Sequence, residues 1–163
     1  MMQTPENAPL ARDHANVRFF PPLAYAAPMA AGLALHFAFS DRFLPQGWVQ
    51  LAAGLPLMVA SGLLAVWASM TMRRAKTAIG PYSSTTAVVV HGPFRFSRHP
   101  MYLSLTGLYV GIAVSVNALW VIVLLPVALV SITVGVIARE ESYLERKFGT
   151  EYISYKSRVR RWL

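Results

Sequence analysis

The sequence predicts an all-α integral membrane fold with four transmembrane helices, the last two forming a helical hairpin, followed by short amphipathic C-terminal helices. Three observations carry this. Hydrophobic residues make up 55% of the 163 residues against 13% charged, and the mean hydropathy of +0.44 is far from that of a water-soluble domain of this size. Apolar runs of membrane-spanning length recur along the chain, a bilayer core about 30 Å thick requiring roughly 20 residues of helix. The 15 Lys and Arg residues lie outside those runs.

The elements follow in order. A polar arm, residues 1–21, leads into Pro22 to Ser40, whose only titratable group is His36, and Trp48 to Met72 contains none. Together these give a first helix pair over 22–72. Residues 73–100 form a loop. Met101 to Ala138 is then uncharged for 38 residues, which as one helix would extend about 57 Å, nearly twice the hydrocarbon thickness. This stretch must fold back near Ser115, Asn117 and Trp120, giving a hairpin over 101–138. Its first half, Met101 to about Val116, is short for a span and must start earlier, tilt or thin the bilayer. Residues 139–163 form an interfacial tail, and the whole chain, 1–163, reads as a single membrane domain. Met1 to Asn16 is polar and no small-residue cleavage pattern follows a compact apolar core, so the first helix is expected to stay attached.

Charge sets the expected orientation. Arg12 and Arg18 precede the first helix, five basic residues lie between Arg73 and Arg98, and seven follow from Arg139 to Arg161; only Arg42 lies in the first connection. The positive-inside rule then puts both termini and the central loop in the cytoplasm, with the bacterial inner membrane as the expected location. The net charge of +8 orients the chain and attracts anionic membrane lipids; without stacked aromatics on a polar face it does not indicate a nucleic-acid partner. With no cysteine there is no disulfide and no thiolate chemistry. His14, His36, His91 and His99 lack the HxxxH or HExxH spacing of a metal site, and no metal is expected.

Within the loop, GPYSS (80–84) and HGPF (91–94) bracket the β-branched run TTAVVV, which reads as an extended segment packed over the helix ends rather than an isolated strand. In the tail, Leu144, Phe148, Tyr152, Tyr155, Val159 and Trp162 recur at spacings of 4, 4, 3, 4 and 3, a helical stripe. Gly149 then reads as a stop and Thr150 as a new N-cap, giving two short helices at the interface. Pro28, Pro56 and Pro126 are expected to kink their helices, and His36 to pack or bond a neighbouring helix.

The stretch HGPFRFSRHPMY, His91 to Tyr102, crowds titratable groups against the third apolar run. Pro100 suits the first turn of a helix, so Arg98 and His99 sit at the positive end of that helix's dipole, a natural anion site. Because the hairpin returns to the same face, Glu140 and Glu141 can meet them there. Ordinary interfacial salt bridges would explain the same residues without a ligand, and both readings stand on residue types alone. Along the third helix, Gly111 reads as close helix packing, while Ser104 and Gly107 allow a ligand near the backbone.

The run GPFRFSRHPMYLSLTGLYVG, with REESYLERKFGTEYISYKSRVRRWL after the second half of the hairpin, resembles the isoprenylcysteine carboxyl methyltransferase family and its relatives among the membrane phospholipid methyltransferases, from about Thr77 to Leu163. The resemblance implies an integral membrane enzyme using S-adenosyl-L-methionine. By the chemistry of that cofactor's groups, Arg98 and His99 suit its carboxylate, Glu140 or Glu141 its amino group or ribose hydroxyls, and Tyr102 contacts through ring and hydroxyl. Gly92, Pro93, Leu103 and Gly107 join this cofactor-binding set. Glu141, Arg98 and Arg158 are the expected catalytic residues, with Arg95 or Arg158 holding an acceptor carboxylate. Two positions depart from the family pattern: Ser104 replaces a frequent glycine and slightly narrows the groove, and Phe94 replaces a tyrosine and removes a hydroxyl. The implied acceptor is a lipophilic or isoprenoid-type carboxylate, which needs no base. A phospholipid amine or a thiol would need one, from a glutamate or His99. Lipid entry is expected between the second and third helices or past the tail. A non-catalytic membrane adaptor and a nicotinamide-dependent reductase-like relative are the alternatives from other classes.

Overall fold

The computed structural model describes residues 15, 17–45, 47–77, 80 and 84–163. Arg12, His14 and most of the polar arm lie outside the described residues, as do Pro81, Tyr82 and Ser83 of GPYSS. Among the described residues the fold is helical throughout, without a strand. The first two helices are α1, Leu23–Phe39, and α2, Trp48–Arg74; they do not form the expected packed pair, because α2 lies against α3 and α1 against α4 and α5. A 3-10 turn at Gly92–Arg95 precedes α3, Pro100–Val116. The chain then reverses into a near-continuous rod: α4 (Leu119–Val123), α5 (Leu125–Ile132), a π-helical segment (Thr133–Ile137) and α6 (Ala138–Phe148). The last helix is α7, Thr150–Arg158. Two stretches are long and apolar enough to cross a membrane, Trp48–Arg74 and Leu119–Phe148; α1 and α3 are shorter apolar helices.

Several local expectations hold for visible reasons. Pro100 lies in the first turn of α3, where its missing amide has no intrahelical role. Asn117, in the left-handed region at φ 59°, ends that helix and makes the hairpin turn. TTAVVV carries no ladder; Val89 is buried with Ala68 and Phe94. Two local expectations need correction. Pro126 sits in the first turn of α5, so it starts that helix after a break at Leu124 rather than kinking one. Thr150 is the first residue of α7 and makes no capping bond; Gly149, at φ 52°, occupies the cap because the chain reverses sharply there.

Packing is organised for an apolar solvent. The inward side of α2 is small and polar, with Gly54, Ser61, Ala68 and Thr71 buried, while Leu51, Leu55, Val59, Leu63, Val66 and Met70 face outward. That pattern lets α2 and α3 approach closely without a large apolar seam, as lipid-embedded helices do. On the other side of α3, α1 packs against α4 and α5, and Tyr109 donates from its buried hydroxyl to the Val121 carbonyl (2.9 Å). His36 is buried, with Nδ1 3.1 Å from the Asp41 carbonyl oxygen.

The hairpin end opposite the charged loop is pinned by Asn117. Its Oδ1 accepts from Phe43 N (3.1 Å) and Leu44 N (2.9 Å), and its Nδ2 donates to Leu44 O (2.8 Å). Asn117→Ala removes three bonds worth about 0.5–1.5 kcal/mol each and adds left-handed strain of about 1 kcal/mol. We expect about 3 kcal/mol of lost stability in detergent unfolding curves. Asn117→Gly keeps the backbone conformation and should lose distinctly less; equal losses would show that strain contributes nothing.

Candidate active site

The start of α1, the end of α2, the start of α3, α6 and the tail all meet at one end of the bundle. The tail is tied there by specific bonds. Arg98 N donates to Arg160 O (3.0 Å), Ser97 Oγ to Arg161 O (3.1 Å) and Tyr155 OH to Phe94 O (2.7 Å). Just before α6, the π segment shifts the helical register, a feature often found beside functional sites. The N-terminal segment covers it: Arg18 N donates to Gly135 O (3.2 Å), and a side chain at Gly135 would strike the Phe19 ring.

This arrangement gives the adjacent glutamates different surroundings. Glu141 is 3% exposed. Arg161 grips it as a fork, Nη2 to Oε2 at 2.6 Å and Nε to Oε1 at 3.1 Å. His99 Nε2 lies 3.2 Å and Arg98 Nη1 3.3 Å from the same Oε1. Glu140 Oε1 instead accepts from Tyr102 OH (2.7 Å), and its Oε2 lies 3.7 Å from His99 Nδ1. The His99 and Tyr102 rings stack, centroids 5.7 Å apart. The tautomer with the proton on Nε2 serves an ionised Glu141 and leaves Nδ1 facing Glu140.

Electrostatics separates the pair further. Burial pushes Glu140 up to about 7, against the opposing bond from Tyr102, with the Glu141 charge adding to the rise. Burial also works to raise Glu141, but hydrogen bonds from His99 and Arg161 and the charges of His99 and Arg98 outweigh it, holding this carboxyl at about 2. Burial lowers the His99 imidazole despite the upward pull of Glu141. Pairs of carboxyls driven apart by their environments are characteristic of sites that handle protons.

The two glutamates therefore act on stability with opposite sign. Glu141, depressed from 4.5, contributes stability present above that value and lost as pH falls toward 2. Glu140, raised from 4.5, contributes stability present below that value and lost as pH rises through about 7. Ligand-free protein should be most stable between these limits. Thermal unfolding across pH 3–9 checks this, and Glu140→Gln should remove the alkaline arm alone.

Beside the cluster is a cavity of about 430 Å³, within the range of small-molecule sites. Arg98, His99, Tyr102, Ser104, Glu140 and Tyr152 line its polar end; Ala65, Met72, Val89, Phe94, Met101 and Leu105 line an apolar wall that continues to Phe20, Pro21 and Pro22. The Arg98 side chain is 8% exposed, yet its Nε and Nη1 have no hydrogen-bond partner among the described residues, and neither has the Tyr152 hydroxyl. Buried donors left unmatched cost about 1–3 kcal/mol each, more when charged.

Of the residues expected from sequence, Arg98, His99, Tyr102 and Glu140 come together on this wall, with Glu141 directly behind them. Gly92, at φ 62°, packs on Thr71 of α2; Pro93 is buried beside it; Gly107 faces Ser61; Leu103 is half-buried. None of these four lines the cavity. Arg95 is exposed over the Phe96 ring. Arg158 is exposed as well, its Nε bonded to Ser154 O (3.1 Å), and is not brought to the cluster. The arginine that does reach it is Arg161, which sequence reasoning missed, as it missed the Phe20 to Pro22 wall. Tyr152 and Tyr155 were visible only as members of an apolar stripe.

Comparison with known proteins adds a family. Residues 49–151 match the phospholipid methyltransferase family. An uncharacterized protein of Haemophilus influenzae is 74% identical over 27 residues, 17% of this chain and 43% of that protein, so the chain spans less than half the length of the curated relative it matches. No solved structure matches. Since the family match takes in more than half of the chain, from the start of α2 through α6 where the glutamates stand, the chain belongs to the phospholipid methyltransferase family.

Proposed function

We propose that the protein transfers a methyl group from S-adenosyl-L-methionine to a lipophilic acceptor at the cytoplasmic face of the bacterial inner membrane. The observation that carries this is the meeting of Arg98, His99, Tyr102 and Glu140 at the polar end of an otherwise apolar cavity. When bound, S-adenosyl-L-methionine supplies a methyl group activated by its sulfonium. The residues fit its other groups. The Arg98 guanidinium and Tyr152 suit its carboxylate, an ionised Glu140 its ammonium, and the Tyr102 ring its positive charge.

All four apolar helices are read as spans. At 17 residues α1 and α3 reach about 26 Å, enough with local thinning. The charged cluster shares its end of the bundle with the basic residues of the loop and tail, which supports a cytoplasmic site.

The apolar wall suits a lipophilic carboxylate, whose oxygen attacks without a base. A phospholipid amine is the second reading, favoured by the family match and by Glu140, whose carboxyl near 7 is poised to take a proton. Entry between α2 and α3 is disfavoured by their close packing at Gly54 and Ser61. The wall toward Phe20 to Pro22 gives a route beside the start of α1. The test is transfer of a labelled methyl group to bacterial lipid extract by protein in vesicles. Label in the organic phase that base releases as methanol identifies a carboxylate; base-stable label identifies an amine. No label in lipid overturns the reading.

A further inference from the structure

We propose that Arg161 is a positioning residue that satisfies Glu141 and thereby holds Arg98 to a single contact with it, leaving the rest of that guanidinium for the carboxylate of the methyl donor; the inference rests on the function proposed above. Glu141 is faced by Arg98 and His99 ahead of α3, by Glu140 on its own helix, by Tyr152 of α7 and by Arg161 of the tail. Among these, only Arg161 uses a planar fork, engaging both carboxylate oxygens. Arg98 approaches one oxygen through Nη1 alone, at 3.3 Å and without hydrogen-bond geometry, and its buried Nε makes no hydrogen bond among the described residues.

The division follows from position. Arg161 does not line the cavity and its side chain is 37% exposed, against 4% for that of Glu141. It reaches the carboxylate from the water side, while Arg98 lies between carboxylate and cavity. The tail's backbone fixes this approach, because Arg160 O and Arg161 O accept from Arg98 N and Ser97 Oγ. Without the fork, an ionised Glu141 has two buried oxygens to satisfy, and the nearest guanidinium is that of Arg98. Arg98 would then add further donors to its Nη1 contact with Glu141 and turn them away from the cavity.

The experiment measures calorimetric binding of two probes to full-length protein in detergent, S-adenosylhomocysteine, which carries the carboxylate, and 5′-methylthioadenosine, which lacks it. Arg161→Ala should weaken S-adenosylhomocysteine at least tenfold and leave 5′-methylthioadenosine within twofold of wild type. Arg161→Lys, keeping charge but not the fork, should lose a few-fold on the first probe alone, and decides the matter if the alanine variant does not fold. Equal weakening of both probes would make Arg161 merely structural and overturn the proposal. So would unchanged binding of both. Failure of wild type to bind either probe would instead remove the methyltransferase reading on which the proposal stands.

Discussion

Glutamine at position 141 is expected to cost the folded protein about 3–5 kcal/mol and to weaken S-adenosyl-L-methionine binding by more than a hundredfold. Glu141 is the common anion for Arg98, His99 and Arg161. Removing one member of a buried charged cluster leaves the others unbalanced, which is where the stability loss arises. The binding loss has a separate source, since Arg98 and His99 both take their orientation from the same Oε1. The acid-sensitive part of stability should disappear with the carboxyl, because the depressed carboxyl at about 2 is what generates it. Unfolding curves at pH 2.5 and pH 4.5, both below the range in which Glu140 acts, check this: wild type should be weaker at pH 2.5, and the variant should lose distinctly less between the two. A variant that retains wild-type acid sensitivity would place its origin elsewhere.

The second large effect lies far from the site, at the seam between α2 and α3. A Cβ added at Gly54 would stand 2.1 Å from Ser115 Oγ and 2.7 Å from the Gly111 carbonyl oxygen. The hydroxyl can rotate away; the carbonyl belongs to the helix backbone and cannot. Gly54→Leu must therefore push the helices apart, and overpacking of this kind costs about 1–3 kcal/mol or more. We expect the leucine variant to lose at least about 3 kcal/mol or fail to accumulate in the membrane. Ser115→Ala should rescue it only in part. Gly62, on the same helix with no atom within 4 Å of an added Cβ, is the control: Gly62→Ala should be neutral or stabilising by up to about 1 kcal/mol. Equal damage at both positions would attribute the effect to helix chemistry rather than to the seam.

Much of this architecture was legible because its signals are local or follow from length. An uncharged run of 38 residues must turn, and the turn falls at Asn117. Pro100 and Gly149 mark boundaries through backbone chemistry alone. Once the hairpin is drawn, Arg98 and His99 must meet Glu140 and Glu141. What remained hidden depends on tertiary path. Arg158 and Arg161 are three residues apart, and a continuing helix would have put them on one side. α7 ends at Arg158, Val159 is extended (φ −120°, ψ 131°), and the chain doubles back so that only Arg161 reaches Glu141. The division between Glu140 and Glu141 was equally inaccessible, because adjacent helical residues differ in direction by about 100° and the π segment ahead of them sets which faces the cavity. Gly92, Pro93 and Gly107 stand near the site in sequence yet face α2 or the core, a distinction that spacing does not carry.

The most direct test of the central claim is a calorimetric titration of S-adenosyl-L-methionine into detergent-purified wild type and into His99→Ala, with folding of both checked beforehand. Saturable binding to wild type at one site per chain is expected. Binding should be at least tenfold weaker in the variant, about 1.4 kcal/mol. No binding to well-folded wild type, or equal binding to both proteins, would contradict that claim.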